Sequence, residues 1–361
     1  MVGRGAVSSI RLVAEVDDRN LDFTLDVEDG EVIAILGPNG AGKSSLLSLV
    51  AGLLRPDSGR ITIGDDVVTD TAERTFVPAH ARGVATMSQN ALLFPHLDAE
   101  ANVAFAPRSR GVGRRKGREI ARTWLDAVDA LDLADRRPSQ LSGGQAQRIA
   151  LARALAAQPR VLLLDEPMAA LDIATAPVLR RLLRTVLREQ RRTALIVTHD
   201  LLDALALADT IVVVQAGRIV ERGPTTDILT APRSEFAARI AGVNLVLGAA
   251  DSSGSLSTAD GLTVHGHSTT PSGAAAVAVF SPSAVAVHLT EPHASPRNVL
   301  PVTIAAMDVH GATVRVRGTH GGQSLVADVT AAAVSELDLS PGMEVYFVVK
   351  SQEVAIHPAS R

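Results

Sequence analysis

Three stretches end in residues suited to a phosphorylated substrate. The first, GPNGAGKSS, sets Gly37, Gly40 and Gly42 among Pro38, Asn39 and Ala41, then adds Lys43, Ser44 and Ser45. Glycines at this spacing let backbone N–H groups turn inward around an anion. The lysine adds a point charge, and Ser44 offers a hydroxyl to a divalent cation. The second stretch, VLLLDEP, carries two adjacent carboxylates. Asp165 is suited to hold Mg2+, usually through water, and Glu166 to orient and polarise an attacking water. The third, TALIVTHD, ends at His199, a residue that can sense and stabilise a γ-phosphate. Gln89, in GVATMSQNALLFPHL, occupies a position suited to a polar switch between a metal site and a neighbouring subunit. The chemistry these residues could do is hydrolysis of a nucleoside triphosphate.

A fourth stretch, LSGGQAQRIALARAL, contains no acid and no strong nucleophile in its first five residues, Leu141 to Gln145. Ser142, Gly143, Gly144 and Gln145 instead offer a hydroxyl, bare backbone N–H groups and a helix start at about Gly144. That is a second anion-binding surface. One chain already has a complete phosphate loop, so the second grip suggests use in trans. Two chains would sandwich two nucleotides.

The elements that must position these residues are legible. The runs EVIAIL, RVLLLD and TALIV are apolar on both faces, as parallel strands covered on both sides are. Helix-like segments follow, starting near Lys43, Pro177 and Leu201. The fold class is therefore α/β, with ligands at the carboxyl ends of the strands. Between about Leu97 and Leu141 the strand signal vanishes, and GREIARTWLDAVDALDLADR has apolar residues at helical spacing. This is expected to be an inserted helical subdomain. From about Gly248 short β runs alternate with Gly/Ser/Thr-rich turns, an all-β tail expected to form a small barrel. Within it SPSAVAVH, ending at His288, echoes KSQEVAIH, ending at His357, and suggests two related β units.

Composition narrows the classes. A net charge of −4 with intermixed signs, and 2% aromatic residues, argue against a nucleic-acid partner. There is no cysteine, so disulfides and thiolate metal sites are excluded. No apolar run reaches the roughly 18–20 residues of a membrane span, and the N-terminus lacks a signal-peptide core. Only Lys43, Lys116 and Lys350 are lysines, in a chain otherwise served by arginine.

Taken in order, the motifs resemble those of an ABC-transporter ATPase subunit: a Walker A loop, a Q-loop at Gln89, an LSGGQ signature, a Walker B strand with Glu166, a D-loop (Ala169–Asp172) and a switch at His199. The resemblance covers about residues 8 to 235. It implies ATP with Mg2+, a head-to-tail homodimer in which Asp172 and the signature serve the partner's nucleotide, and a transmembrane permease dimer contacted by LLFPHL. It places the chain peripherally on the cytoplasmic face of the inner membrane. One departure is that RLVAEVDDRNLD lacks the aromatic residue that usually stacks on adenine, and Phe23 lies too close to the loop to replace it.

The tail, from about Ala294 to His357, resembles the small OB-like Mop or TOBE domain of molybdate-import ATPases. That resemblance makes Ser295, Arg297, Lys350 and Ser351 candidate contacts to a molybdate or tungstate oxyanion, while Asn298 either lends an amide N–H or shapes the turn. In the upstream echo Ser281-Pro282 replaces the Lys-Ser pair, so one competent half is expected per chain. The expected divisions are an ATPase domain 1–235 with its helical subdomain at about 90–145, a linker and degenerate β unit 236–292, and the oxyanion domain 293–361. An extracytoplasmic molybdate-binding protein would feed the permease. The alternatives are an importer ATPase for sulfate, iron(III), sugar or polyamine, and a non-transport ABC ATPase.

Overall fold

The structure is a computed structural model and describes residues 8–268, 270–292 and 295–359. The chain forms two compact units, divided between Thr225 and Thr226.

The first unit contains β1 (Ser8–Val16), β2 (Leu21–Glu28), β3 (Val32–Leu36), α1 (Lys43–Ala51), β4 (Ser58–Ile63), β5 (Asp66–Asp70), β6 (Thr75–Phe76) and β7 (Val84–Met87). It continues with α2 (Ala99–Ser109), α3 (Arg114–Ala127), α4 (Gly143–Ala156), β8 (Val161–Asp165), α5 (Thr175–Glu189), β9 (Thr193–Val197), α6 (Leu201–Leu207), β10 (Thr210–Gln215) and β11 (Arg218–Pro224). The strands form one sheet in the order β6-β5-β4-β1-β2-β11-β10-β3-β9-β8-β7. From β10 to β7 every neighbour is parallel. β3 and β9 are buried at every residue, as their unbroken apolar runs require. β2 instead alternates, with Leu21, Phe23, Leu25 and Val27 inward. The three strands expected from sequence are β3, β8 and β9, and the residues that follow each one meet at the same edge.

The inserted subdomain is helical, but its pieces differ from the sequence expectation. α2, which was not singled out, is capped by Asp98, whose Oδ1 accepts from the Ala101 N–H at 2.7 Å. α3 stops at Ala127 rather than running to residue 136, because Asp129 turns left-handed (φ 53°). α5 begins at Thr175, ahead of the expected Pro177, and that proline sits in the first turn, where a missing N–H goes unneeded.

The second unit holds α7 (Thr225–Thr230), α8 (Glu235–Ala241), β12 (Asn244–Ala250), β13 (Ser255–Ser257), β14 (Thr263–His265), β15 (His267–Ser268), β16 (Ala275–Phe280) and β17 (Ala286–His288). Then come β18 (Asn298–His310), β19 (Thr313–His320), β20 (Gln323–Thr330), α9 (Ala331–Glu336), β21 (Glu344–Val349) and β22 (Ala355–Pro358). Two sheets, β14-β13-β12-β16-β22-β15 and β17-β21-β18-β19-β20, enclose one core that includes Val246, Phe280, Leu300, Val316, Phe347 and Ile356.

The eight-residue echo is part of a longer repeat. β12–β16–β17 corresponds to β18–β21–β22, with a 3-10 turn before the last strand in each (Pro282–Ala284 and Ser351–Glu353). The two halves exchange those last strands: β17 pairs with β21, and β22 with β16. Each half also begins with a buried asparagine clasping the other. Asn244 bonds the Val326 backbone N–H and C=O at 2.6 and 2.8 Å, and Asn298 bonds those of His265 at 2.7 and 2.9 Å. Residues 236–292 thus supply strands and core to the same compact unit as residues 295–359.

Candidate functional site

β3 delivers the phosphate-loop sequence to the sheet edge. A Cβ at Gly37 would lie 2.1 Å from the Val214 carbonyl oxygen, so only glycine fits. Gly42 (φ 104°) rests on Leu21 and Phe23, where a Cβ would come within 2.9 and 3.2 Å of them. Phe23 is fully buried and is a prop under the loop. Asn39 and Gly40, at the tip, are exposed, and Ala41 is buried. Lys43 opens α1 with its ammonium donating to the Gly37 and Pro38 carbonyls, both at 2.8 Å. Burial lowers its pKa, and Glu166 and Asp165 act the other way. Ser44 is exposed beside it, and Ser45 follows on the same helix.

Asp165 ends β8 and hydrogen-bonds the Ser44 hydroxyl. Burial pushes its pKa up, helped by Glu166 and opposed by Ser44 and Lys43. Glu166 then turns left-handed (φ 51°), a conformation costing a side-chain-bearing residue about 1–2 kcal/mol. Its N–H donates to the Val197 carbonyl at 2.9 Å. Gln89, beyond β7, donates from Nε2 to Glu166 Oε2 at 3.0 Å. His199, beyond β9, brings Nδ1 to 3.6 Å from Glu166 Oε1. Two residues named from separate sequence stretches thus converge on the Glu166 carboxylate.

Ser142 caps α4 in a reciprocal box: its Oγ accepts from the Gln145 N–H, and Gln145 Oε1 accepts from the Ser142 N–H at 2.9 Å. The helix therefore starts at Gly143. Gly144 packs against the Ala170 carbonyl, where a Cβ would lie 2.9 Å away. Asp172 accepts from Thr175 N–H, Thr175 Oγ1 and Ala174 N–H at 2.8–3.0 Å, and the Thr175 bonds hold its carboxyl below the usual range. A cleft of about 360 Å³ runs between the start of α5 and His199, lined by Glu166, Asp172 and Arg180 among others.

Several functional contacts were not singled out in the sequence. Gln147, 2% exposed, donates to the Glu166 carbonyl at 2.8 Å and accepts from the Ala170 N–H at 2.9 Å. Its three-residue spacing from Gly144 put it on the same helix face, a readable signal. Arg153, farther along α4, donates to the Leu92 and Ala91 carbonyls and lies over Phe94. Arg180 on α5 binds Asp203 and Asp200, which follow His199 in the chain. Only distant pairing reveals these arginines, so no sequence signal marked them.

In the second unit Asn298 pairs with Val349 as the last register pair of β18 and β21, with Arg297 just before the first strand and Lys350 just after the second. Both cations are exposed, and neither has an ion-pair partner among the described residues. Ser295 is exposed and Ser351 half-buried in the turn that Lys350 starts. His293 and Ala294 lie outside the described residues. Asn298 is buried, and its amide bonds the His265 backbone through Oδ1 and one Nδ2 N–H. In the first half of the repeat Ala241, Val243, Ser281 and Pro282 stand where Ser295, Arg297, Lys350 and Ser351 stand in the second.

A phosphate loop at a parallel sheet edge, with a helical insert bearing a second anion-binding motif, defines an ATP-binding cassette. The ABC transporter family matches residues 21–169, and the TOBE domain family matches 294–356. The chain is 51% identical to the molybdenum import ATP-binding protein ModC of Mycobacterium tuberculosis (strain ATCC 25618 / H37Rv), over 98% of each chain. It is 34% identical to the molybdate/tungstate import ATP-binding protein WtpC of Pyrococcus horikoshii, over 93% of this chain and 95% of the relative. Among solved structures, the dimeric ATP-binding cassette MJ0796 in a post-hydrolysis state with ADP and Pi superposes with a TM-score of 0.55 at 28% identity, covering 60% of this chain and 98% of that one. The chain belongs to the ModC family of import ATP-binding proteins.

Proposed function

We propose that the chain is the ATP-hydrolysing subunit of a membrane importer for molybdate or tungstate, with an oxyanion site in its second unit. The observation that carries the cargo assignment is that Arg297 and Lys350 adjoin the last register pair of β18 and β21, in a chain aligned along its length with molybdate-import relatives. Two unpaired cations with two flanking hydroxyls, Ser295 and Ser351, suit a tetrahedral dianion. In the first half of the repeat Val243 and Ser281 stand at the two cation positions, so one binding half per chain is proposed.

In the first unit the loop from Gly37 to Ser45 would wrap the phosphates with backbone N–H groups, and Lys43 would exchange its two carbonyl acceptors for phosphate oxygens. The hydroxyl of Ser44, the carboxylate of Asp165 and the amide oxygen of Gln89 form an all-oxygen set suited to Mg2+, which when bound would neutralise phosphate charge. Glu166 would hold the attacking water, and His199 would contact the γ-phosphate from the opposite side. The capped start of α4 and the Asp172 loop would face the nucleotide of a second copy. The dimeric state of the MJ0796 cassette supports that arrangement. Leu92, Phe94 and Leu97 would form the seat for the permease.

Complementation tests the reading. In cells lacking their own molybdate-importer ATPase, the wild-type chain with its permease is expected to restore molybdate uptake, and Glu166→Gln is not. Restoration of sulfate uptake alone would favour the alternative cargo.

A further inference from the structure

Residues 108–122 hold seven cations, Arg108, Arg110, Arg114, Arg115, Lys116, Arg118 and Arg122, against the single carboxylate Glu119, in a chain whose net charge is −4. All seven are exposed. Arg115 and Lys116 share Glu119 at 3.4 and 3.2 Å, and Arg118 and Arg122 share Glu100 of α2 at 2.5 and 2.7 Å. Arg110 donates to the Ala157 carbonyl. Arg108 and Arg114 have no ion-pair partner among the described residues.

The cluster is one surface. Gly117 has no side chain, and Arg108 lies across it, since a Cβ there would meet Arg108 Cγ at 3.0 Å. The basic end of α2 and the first half of α3 are thereby continuous. The arrangement is unfavourable to the fold. Arg114, Arg115 and Lys116 occupy the first turn of α3, which has no acidic residue and no side-chain cap. Cations at that positive pole each cost about 0.3–1 kcal/mol. Charges placed where they weaken their own helix point to a role outside the fold.

The patch also has a telling neighbour. Phe105 of α2, 48% exposed and in ring contact with Phe94 at 4.6 Å, lies about one turn before Arg108. Phe94 belongs to the stretch proposed above as the permease seat. We propose that this surface binds the anionic phospholipid headgroups of the membrane beside the permease, helping hold the ATPase against the bilayer. The assignment rests on the importer reading. Clusters of this size suit anionic lipid, at about 1 kcal/mol per cation.

Vesicle sedimentation of the full chain is the test, using phosphatidylcholine vesicles with and without phosphatidylglycerol. Binding is expected only with phosphatidylglycerol and is expected to weaken with added salt. Replacing Arg114, Arg115 and Lys116 together with Gln should weaken binding about a hundredfold, from about 1 kcal/mol per cation, while ATPase kcat and KM stay as in the wild type. Equal binding to both vesicles, or binding unaltered in the triple variant, overturns the proposal. So does equally tight, equally variant-sensitive binding to duplex DNA, which would assign the patch to nucleic acid. A wild-type chain that binds vesicles but fails to hydrolyse ATP would count against the importer reading alone.

Discussion

Replacing Gln147 with Met tests whether the signature helix holds in place the Glu166 carboxylate proposed to act in hydrolysis. The substitution keeps the side-chain volume close to native and removes both hydrogen bonds, the 2.8 Å donation to the Glu166 carbonyl and the 2.9 Å acceptance from the Ala170 N–H. Each buried backbone group left unpaired costs about 1–3 kcal/mol. Glu166 O keeps one bond, from Ala169 N–H at 3.2 Å, so the total falls near 3 kcal/mol rather than at the upper end. In a unit of this size that is a drop of about 6–12 °C in melting temperature. The same change frees Glu166 from a left-handed backbone it holds at a cost, so its carboxylate should drift from the γ-phosphate. A displacement near 1 Å can lower kcat about a hundredfold. Lys43 and the phosphate loop are untouched, so the KM for ATP should stay put. Steady-state ATPase assays with thermal melting read both effects. A lowered melting point with unchanged kcat would reduce Gln147 to a brace, and a raised KM with unchanged kcat would refute the reasoning.

Other perturbations probe separate parts of the structure. Arg82 is 2% exposed and donates to the Val77, Leu49 and Val50 carbonyls and to Thr69 Oγ1, and burial lowers its pKa to about 10. Arg82→Met should uncap the C-terminal end of α1 and cost about 3–5 kcal/mol, read by chemical denaturation; a loss under 1 kcal/mol would contradict that role. Glu166→Gln should keep ATP binding and accumulate a closed dimer visible by size-exclusion chromatography, and a normal hydrolysis rate would remove Glu166 from its proposed role. Burial, with Arg233 nearby, depresses the pKa of His357. Its contribution to stability is therefore full above the unfolded value of about 6.5 and is lost as pH falls through the folded value. His357→Gln should flatten the second unit's melting profile over that window, and an unchanged profile would count against it.

Much of the fold was legible because its signals are local. Unbroken apolar runs marked β3, β8 and β9, and the polar residues ending them marked the site. The echo ending at His288 and His357 was a true repeat, but strand exchange between its halves depends on tertiary pairing and could not be read from either copy. α2 escaped notice because its cap, Asp98, precedes an alanine-rich segment with weak periodicity. α3 was drawn too long because the apolar spacing continues past Asp129, where the backbone reverses. The bond from Asn298 to His265 was not legible, because an amide's type says nothing about which neighbouring strand it meets. Gln147 and Arg180 act on residues far along the chain, and their type alone says nothing about those partners.

The cargo assignment rests on Arg297 and Lys350, so calorimetry with oxyanions tests it most directly. The full chain is expected to release or absorb heat with molybdate or tungstate and to bind sulfate more weakly. Arg297→Ala and Lys350→Ala should each weaken molybdate binding about tenfold to a hundredfold, as loss of a charge-assisted contact predicts. Absence of heat with either metal oxyanion, or undiminished binding in both variants, would contradict the account.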